Sequence, residues 1–327
     1  MTLHEDKTLF RQAVQFTSDQ LQIPAIYIEK DYWVTYALYT IFSHDIGKDT
    51  VFKGGTALSK CFKIIDRFSE DIDLVVIRRE GESDSKLKSK LSKISSTLSS
   101  VLPEVHIEGL SHKMGMNRKT AHSYTKEFTG KYGQVRDTVV LESSWLGHHE
   151  PFSRRVVNSY IGEMLLETGQ QELAQNHNML PFEVNVLEPT RTICEKIMSL
   201  VRFSYGLNPL EDLKQKVRHA YDLNQLLNRS EFLNFLRSHE FDKMLLKVAG
   251  DDSKSFKNNN LWLKNHPNEA LIFKELEDIW PSLSTVYTRD FSNLVYGNLP
   301  DESEVLETLK MIRERLVAVK WEIAGIS

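Results

Sequence analysis

Two aspartates one residue apart, Asp71-Ile72-Asp73, follow the segment Lys53-Gly54-Gly55-Thr56 at a distance that leaves room for one helix. Alternate residues of an extended strand share a face, so both carboxylates project together while Ile72 and Leu74 turn to the other side. Two carboxylates held that way repel unless a cation stands between them, and hard Mg²⁺ (or Mn²⁺) takes oxygen ligands. Paired glycines let the backbone turn sharply and approach a ligand. A threonine opening a helix offers a hydroxyl and free N–H groups to phosphate oxygens. The chemistry this predicts is displacement on the phosphorus of an NTP, with metal charge on the leaving pyrophosphate. Glu142, closing the apolar run Val139-Val140-Leu141, is the candidate third carboxylate, with an exposed strand residue as the alternative. Lys53 and Arg67 are candidate phosphate contacts, and Arg67 can instead pair with Glu70 or Asp71.

Each motif alone is ordinary. A Gly-Gly pair is commonly a turn, and Asp-x-Asp is commonly a solvated or capping pair. What makes them specific is their order, which requires particular elements between them. Val51-Phe52 reads as a short strand before the glycines, and Leu58, Cys61, Phe62 and Ile65 fall at helical spacing after them. Ile72 to Ile77 is a β-branched, aliphatic strand. Upstream, two helices span Lys7 to about Phe42, broken near Pro24. Lys86 to Leu102 predicts a helix with Leu87, Leu91, Ile94 and Leu98 on one stripe and its lysines on a solvated face. Val105 to Ile107, Ser123 to Phe128, Thr138 to Ser143 and Phe182 to Leu187 read as further strands. From Thr190 the chain reads as helical, including Glu211 to Leu227 and Glu302 to Ile323.

The 327 residues are 41% hydrophobic and 26% charged, enough to bury a substantial core. A net charge of −4 excludes a globally basic nucleic-acid binder but leaves room for a local basic face. The stretches Lys86 to Lys93 and Lys113 to Arg136, with Arg154-Arg155, are the candidates for one. Only Cys61 and Cys194 are present, both within amphipathic patterns, which argues against a disulfide framework and fits a reducing cytosol. Met1 to Gln12 has no apolar core of a signal peptide, and no window approaches a membrane span. The reading is a cytoplasmic protein with no membrane partner. Eleven histidines lack metal-ligand spacing, so no zinc is assigned.

With these residues in view, the sequence resembles the AbiEii/MenT-type nucleotidyltransferase toxins of the DNA polymerase β superfamily. The likeness runs through Ile28-Glu29-Lys30-Asp31-Tyr32-Trp33-Val34, Lys53 to Val76, Thr190-Arg191-Thr192-Ile193-Cys194-Glu195-Lys196-Ile197 and Arg218-His219-Ala220-Tyr221-Asp222-Leu223, over roughly the first two thirds of the chain. One departure is visible: Thr56 stands where the superfamily usually has serine, with fourteen residues between it and Asp71. The resemblance implies that Asp71 and Asp73 hold metal, that Lys196 contacts the nucleotide triphosphate, and that Asp222 is a further acid needed for activity. It also matches Ser69 to a position where some relatives carry a functional serine, the alternative being a local cap. From the residues themselves, Thr192 and Glu195 form a capping-box pattern that puts Lys196 in a first helical turn. Surface charge is the alternative for Lys196, and an i, i+4 salt bridge with Arg218 the alternative for Asp222. Glu29-Lys30-Asp31 reads as structural support for the site, with Lys30 paired to an acid.

The expectation is an α/β (α+β) fold: a polymerase β-like nucleotidyltransferase core over residues 1–189 and a mainly helical lobe over 190–327 that contributes Lys196 and Asp222 to a cleft. By resemblance it transfers NMP from NTP to the 3′ end of tRNA, as the toxin of a toxin–antitoxin or abortive-infection system with a cognate antitoxin as partner. Two alternatives stay open: a protein or small-molecule acceptor, and a nucleotide-binding regulatory module without turnover.

Overall fold

The computed structural model describes residues 1–69, 71–113, 115–130, 136–146, 149–256 and 259–323. It has a mixed α/β architecture and divides into two compact units, each described by itself. The first comprises Met1–Lys63, Phe68–Trp145 and Phe152–Leu187, and the second Ile64–Arg67, Leu146–Pro151 and Glu188–Ser327.

The first unit is built on a seven-stranded sheet: β1 (Thr50–Lys53), β2 (Asp71–Val76), β3 (Glu104–Val105), β4 (Asn117–His122), β5 (Val139–Ser144), β6 (Phe152–Val157) and β7 (Phe182–Leu187), in the order β3-β4-β5-β2-β1-β7-β6. β1 runs antiparallel to β2, while β2–β5 and β1–β7 are parallel. Val51 and Phe52 on β1, and Ile72, Leu74, Val75 and Val76 on β2, are buried, as central strands covered by helices require. Helix α1 (Lys7–Leu21) is followed by α2 (Ala25–Phe42), with Pro24 at the N-cap of α2. A proline there needs no N–H donor and separates the two helices as the sequence predicts. Helix α2 packs against β2, β5, β7 and α4 (Asp84–Ser99), and it buries even Glu29, Lys30 and Asp31. The short α3 (Gly54–Lys60) joins β1 to the segment leading to β2. Helices α5 (Tyr160–Glu167) and α6 (Gln171–Asn176) complete the unit.

Three strand expectations change. The strand expected at Ser123 to Phe128 lies earlier, at Asn117–His122, where polar side chains occupy the sheet and leave no apolar alternation to read. Strand β6, with the exposed Arg154 and Arg155, is an edge strand whose solvated residues hid it. β3 is limited to Glu104–Val105. On α4 the stripe Leu87, Leu91, Ile94 and Leu98 is buried as expected, but so is Lys90, whose ammonium bonds the Ile77 carbonyl and the Glu82 carboxylate.

The second unit is helical: α7 (Pro189–Phe203), α8 (Pro209–Lys214), α9 (Val217–Leu227), α10 (Ser230–Arg237), α11 (His239–Ser255), α12 (Leu271–Lys274), α13 (Leu276–Arg289) and α14 (Glu302–Val317). α7 packs on α9 and α11, burying Ile193, Ile197, Leu200 and Val201, and α14 packs on α9 and α13. The helix expected from Glu211 to Leu227 is two, separated at Gln215-Lys216, and the last helix ends at Val317 rather than near Ile323. α7 begins at Pro189 with Glu188 as N-cap, so Thr192 is inside the helix and the capping-box reading does not hold. Proline at the first helical position supplies the start signal instead.

Candidate functional site

Strand register assembles the acids of the first unit. Lys53 on β1 stands opposite Asp73 on β2, Asp73 opposite Glu142 on β5, and Glu142 opposite Lys119 on β4. Directly paired residues share a sheet face, so these four side chains form one row of alternating ends, cation, two acids, cation, with neighbouring strands about 4.8 Å apart. Asp71 stands two residues back on the same face, one step beside Asp73. The intervening Ile72 is fully buried, which holds both aspartates on the open side.

Gly54 adopts φ +81°, a left-handed conformation that favours glycine, and a Cβ there would collide with Oδ2 of Asp73. The glycine turn and the second aspartate are therefore in direct contact. Thr56 is buried, and its hydroxyl lies 2.7 Å from the carbonyl of Asp71 and 2.9 Å from the Ser69 hydroxyl. A hydroxyl has one proton to give, and the carbonyl can only accept. Thr56 therefore donates to Asp71 and accepts from Ser69. The two hydroxyls form a chain that ends on the backbone at the start of β2.

The row's electrostatics follow from its spacing. Burial, then the charges of Glu142 and Asp71, push the Asp73 carboxyl up to about 7 against the pull of Lys53 and Lys119. Burial also works against ionisation of Glu142. There the Lys119 ammonium at 2.9 Å and the Asn117 amide at 3.3 Å prevail and hold the carboxyl below its ordinary range. Asp71 faces the Arg136 guanidinium at 3.3 Å. Among the described residues no group of three or more His, Cys, Asp or Glu side chains stands close enough to hold a metal ion. The donor set that fits a divalent cation is thus the pair Asp71 and Asp73, beside a Glu142 already engaged by Lys119. A carboxyl raised to about 7 by burial and then by neighbouring acids is one that added positive charge would ionise.

The supports come from α2, where three consecutive buried charges anchor three segments. Glu29 accepts the N–H groups of Glu127 and Phe128. Lys30 donates to the carbonyls of Arg136 and Thr138, fixing the approach to β5. Asp31 pairs with Lys60 at the end of α3 at 2.5 Å and accepts the N–H of Tyr160.

In the second unit Asp222 is fully buried and bound on both oxygens. Arg67 bridges it with Nε and Nη2 at 2.7 Å each, and Lys196 Nζ lies 2.6 Å from Oδ2. Burial alone would raise the Asp222 carboxyl, yet these two cations hold it well below the usual carboxylate range. Burial depresses Lys196, opposed by Asp222. Burial, then the charges of Lys196 and Arg218, drive His219 far below its ordinary value, and its Nδ1 lies 3.5 Å from the Lys196 ammonium. Asp222 is thus paired with Arg67 and Lys196 rather than with Arg218, and Lys196 is buried rather than surface charge. Glu70, one of the two partners considered for Arg67, lies outside the described residues.

Lys119, Asn117 and Arg136 were not read as site residues from the sequence. All three sit in the basic, polar stretch whose strand carries no apolar alternation, and only register places Lys119 beside Glu142.

The mixed α/β fold is consistent with a nucleotidyltransferase core. The family model described as nucleotidyl transferase AbiEii toxin, type IV toxin–antitoxin system, matches residues 36–309, most of the chain, and the protein belongs to that family of nucleotidyltransferase toxins. The match reaches past the first two thirds, where the sequence resemblance lay, into α14. No curated protein matches the chain. Among the described residues no helix is long and apolar enough to cross a membrane.

Proposed function

We propose that the protein transfers NMP from an NTP to an acceptor hydroxyl, the 3′ end of tRNA, with Asp71 and Asp73 holding Mg²⁺ or Mn²⁺. The oxygen of the acceptor forms a bond to the α-phosphorus, the bond to the β-phosphate oxygen breaks, and pyrophosphate leaves. The observation that carries this reading is the contact between the Gly54 turn and the Asp73 carboxylate, within a row that also holds Glu142.

In this reading the backbone of Gly54 and Gly55, with no side chain in the way, receives the triphosphate, and Lys53 supplies positive charge beside it. Thr56 and Ser69 serve nucleotide binding indirectly, by fixing the strand start that carries Asp71. When bound, the metal supplies charge that offsets what develops on the phosphates. Glu142 is the third carboxylate, kept ionised by Lys119. Lys196 and Asp222 keep the roles implied by the resemblance, a triphosphate contact and an acid needed for activity. Their support is that Asp222 is held as an anion between two cations. The expected partner is the cognate antitoxin of the system.

The test is incubation with each α-labelled NTP, divalent metal, total tRNA and cell protein. Label on the 3′ end of tRNA is the expected result. Label on protein would replace the acceptor, and binding without transfer would leave a regulatory module.

A further inference from the structure

Two basic stretches far apart in the sequence meet in the first unit. The exposed face of α4 and the segment entering β4 enclose a cavity of about 510 Å³, lined among others by Ser85, Lys88, Ser89, Ser92, Lys113 and Arg118. That volume lies within the range of ligand sites, roughly 300–1,000 Å³. Among the described residues three cations and three hydroxyls line it and no acid does, in a chain whose net charge is −4. Lys113 also lies 2.5 Å from the Glu104 carboxylate, which offsets part of its charge, so the weight falls on Lys88 and Arg118. Arg118 Nε is buried and has no hydrogen-bond partner among the described residues, an N–H group left for something else to accept.

The cavity reaches the catalytic row. Asn117 is part of its lining, and the Asn117 amide donates to Glu142 while its own Oδ1 has no partner among the described residues. Among the described lining residues Leu91 is the one large apolar side chain, and none is an aromatic ring on which a base would stack. Cations and hydroxyls without a stacking platform match a phosphodiester backbone rather than a nucleoside.

We propose that this groove binds the phosphate backbone of the RNA acceptor. The proposal rests on the reading that the acceptor is RNA and assigns it a place, with Lys88 and Arg118 as the principal contacts. Salt dependence reports such contacts, because each neutralised phosphate releases counterions, and losing one lysine or arginine contact lowers the slope by about one.

The experiment measures tRNA binding by fluorescence anisotropy across a salt series for the wild-type protein, Lys88→Ala/Arg118→Ala, and Lys48→Ala as a control on another exposed lysine. Binding of labelled NTP with metal and thermal unfolding are recorded in parallel. The expected result is RNA affinity about tenfold weaker or more in the double variant and a salt slope lower by about two, with NTP binding and unfolding unchanged and the control like wild type. Equal RNA binding by wild type and double variant would overturn the groove while leaving RNA as the acceptor. Loss of NTP binding instead would assign the groove to the nucleotide and also overturn it. No salt-sensitive RNA binding by the wild type would overturn both the groove and the RNA reading. If the double variant unfolds early, the single Lys88→Gln variant, on an exposed helix face, decides by its slope.

Discussion

Oδ2 of Asp73 occupies the space in which a Cβ on Gly54 would stand. The glycine's positive φ and its missing side chain thus serve one purpose, bringing a backbone turn onto a carboxylate. Gly54→Ala adds left-handed strain of about 1–2 kcal/mol and displaces Asp73. Displacements of about 1 Å can lower rates by about 10²-fold. Transfer is expected to fall by about that factor or more while the thermal midpoint drops by only a few degrees. Near-normal turnover in a folded Gly54→Ala protein would show that the contact has no part in the reaction.

Asp71→Ala and Asp73→Ala each remove a partly buried acid rather than an apolar core group, so both are expected to abolish transfer and to unfold cooperatively near the wild-type temperature. Retained transfer in both would remove the assignment of these acids.

Asp73 also predicts a pH dependence. Its carboxyl sits at about 7 in the fold against an ordinary 3.8. Between those values the folded protein holds a proton that the unfolded chain has released, so this group makes stability fall as pH rises through the window. Wild type should therefore gain stability relative to Asp73→Asn on acidification from about pH 8 to about pH 5. Because proton and cation compete for the same oxygens, Mn²⁺ binding should strengthen as pH rises through about 7. Parallel stability curves for wild type and Asp73→Asn would contradict the assignment.

Arg67, Asp222 and Lys196 form a buried group in which one anion serves two cations. Breaking a buried ion pair by removing one partner costs about 3–5 kcal/mol, so Arg67→Met and Asp222→Ala should both lower stability substantially. The Asp222 carboxyl is depressed, so its contribution is complete above the ordinary carboxylate range and lost only as pH falls below it. Denaturant titration at neutral pH checks the prediction. Loss of activity in Asp222→Ala is to be interpreted against that loss of stability.

Arg136 is 45% exposed where it meets Asp71, and exposed pairs contribute about 0–1 kcal/mol. Arg136→Ala should leave the thermal midpoint within about a degree or two. It should also tighten Mn²⁺ binding several-fold, since one cation no longer competes for the Asp71 oxygen. Calorimetric titration with Mn²⁺ reads this directly, and weaker binding would mean that the guanidinium does not compete there.

The parts of the protein legible in its sequence are those whose signal is local. Alternation at Asp71-Ile72-Asp73, helical spacing after Gly55, the break at Pro24 and the stripe from Leu87 to Leu98 each state their element within a few residues, because side-chain direction follows directly from backbone period. The Asn117–His122 strand was not legible, because Asn117, Arg118 and Lys119 serve the acid row and the cavity, and the buried Thr120 and His122 are polar. β6 was hidden in the same way by the solvated arginines of a sheet edge.

The sequence by itself determined the glycine turn, the paired aspartates on one strand face and the family to which they point. Tertiary structure alone decided that Lys53, Asp73, Glu142 and Lys119 share a row, that Lys30 reaches the carbonyls of Arg136 and Thr138, and that Asp222 pairs with Arg67, 155 residues away along the chain. The reason is physical. A strand's period says which face a residue takes, whereas register and buried charge pairing depend on segments whose separation along the chain carries no periodic trace.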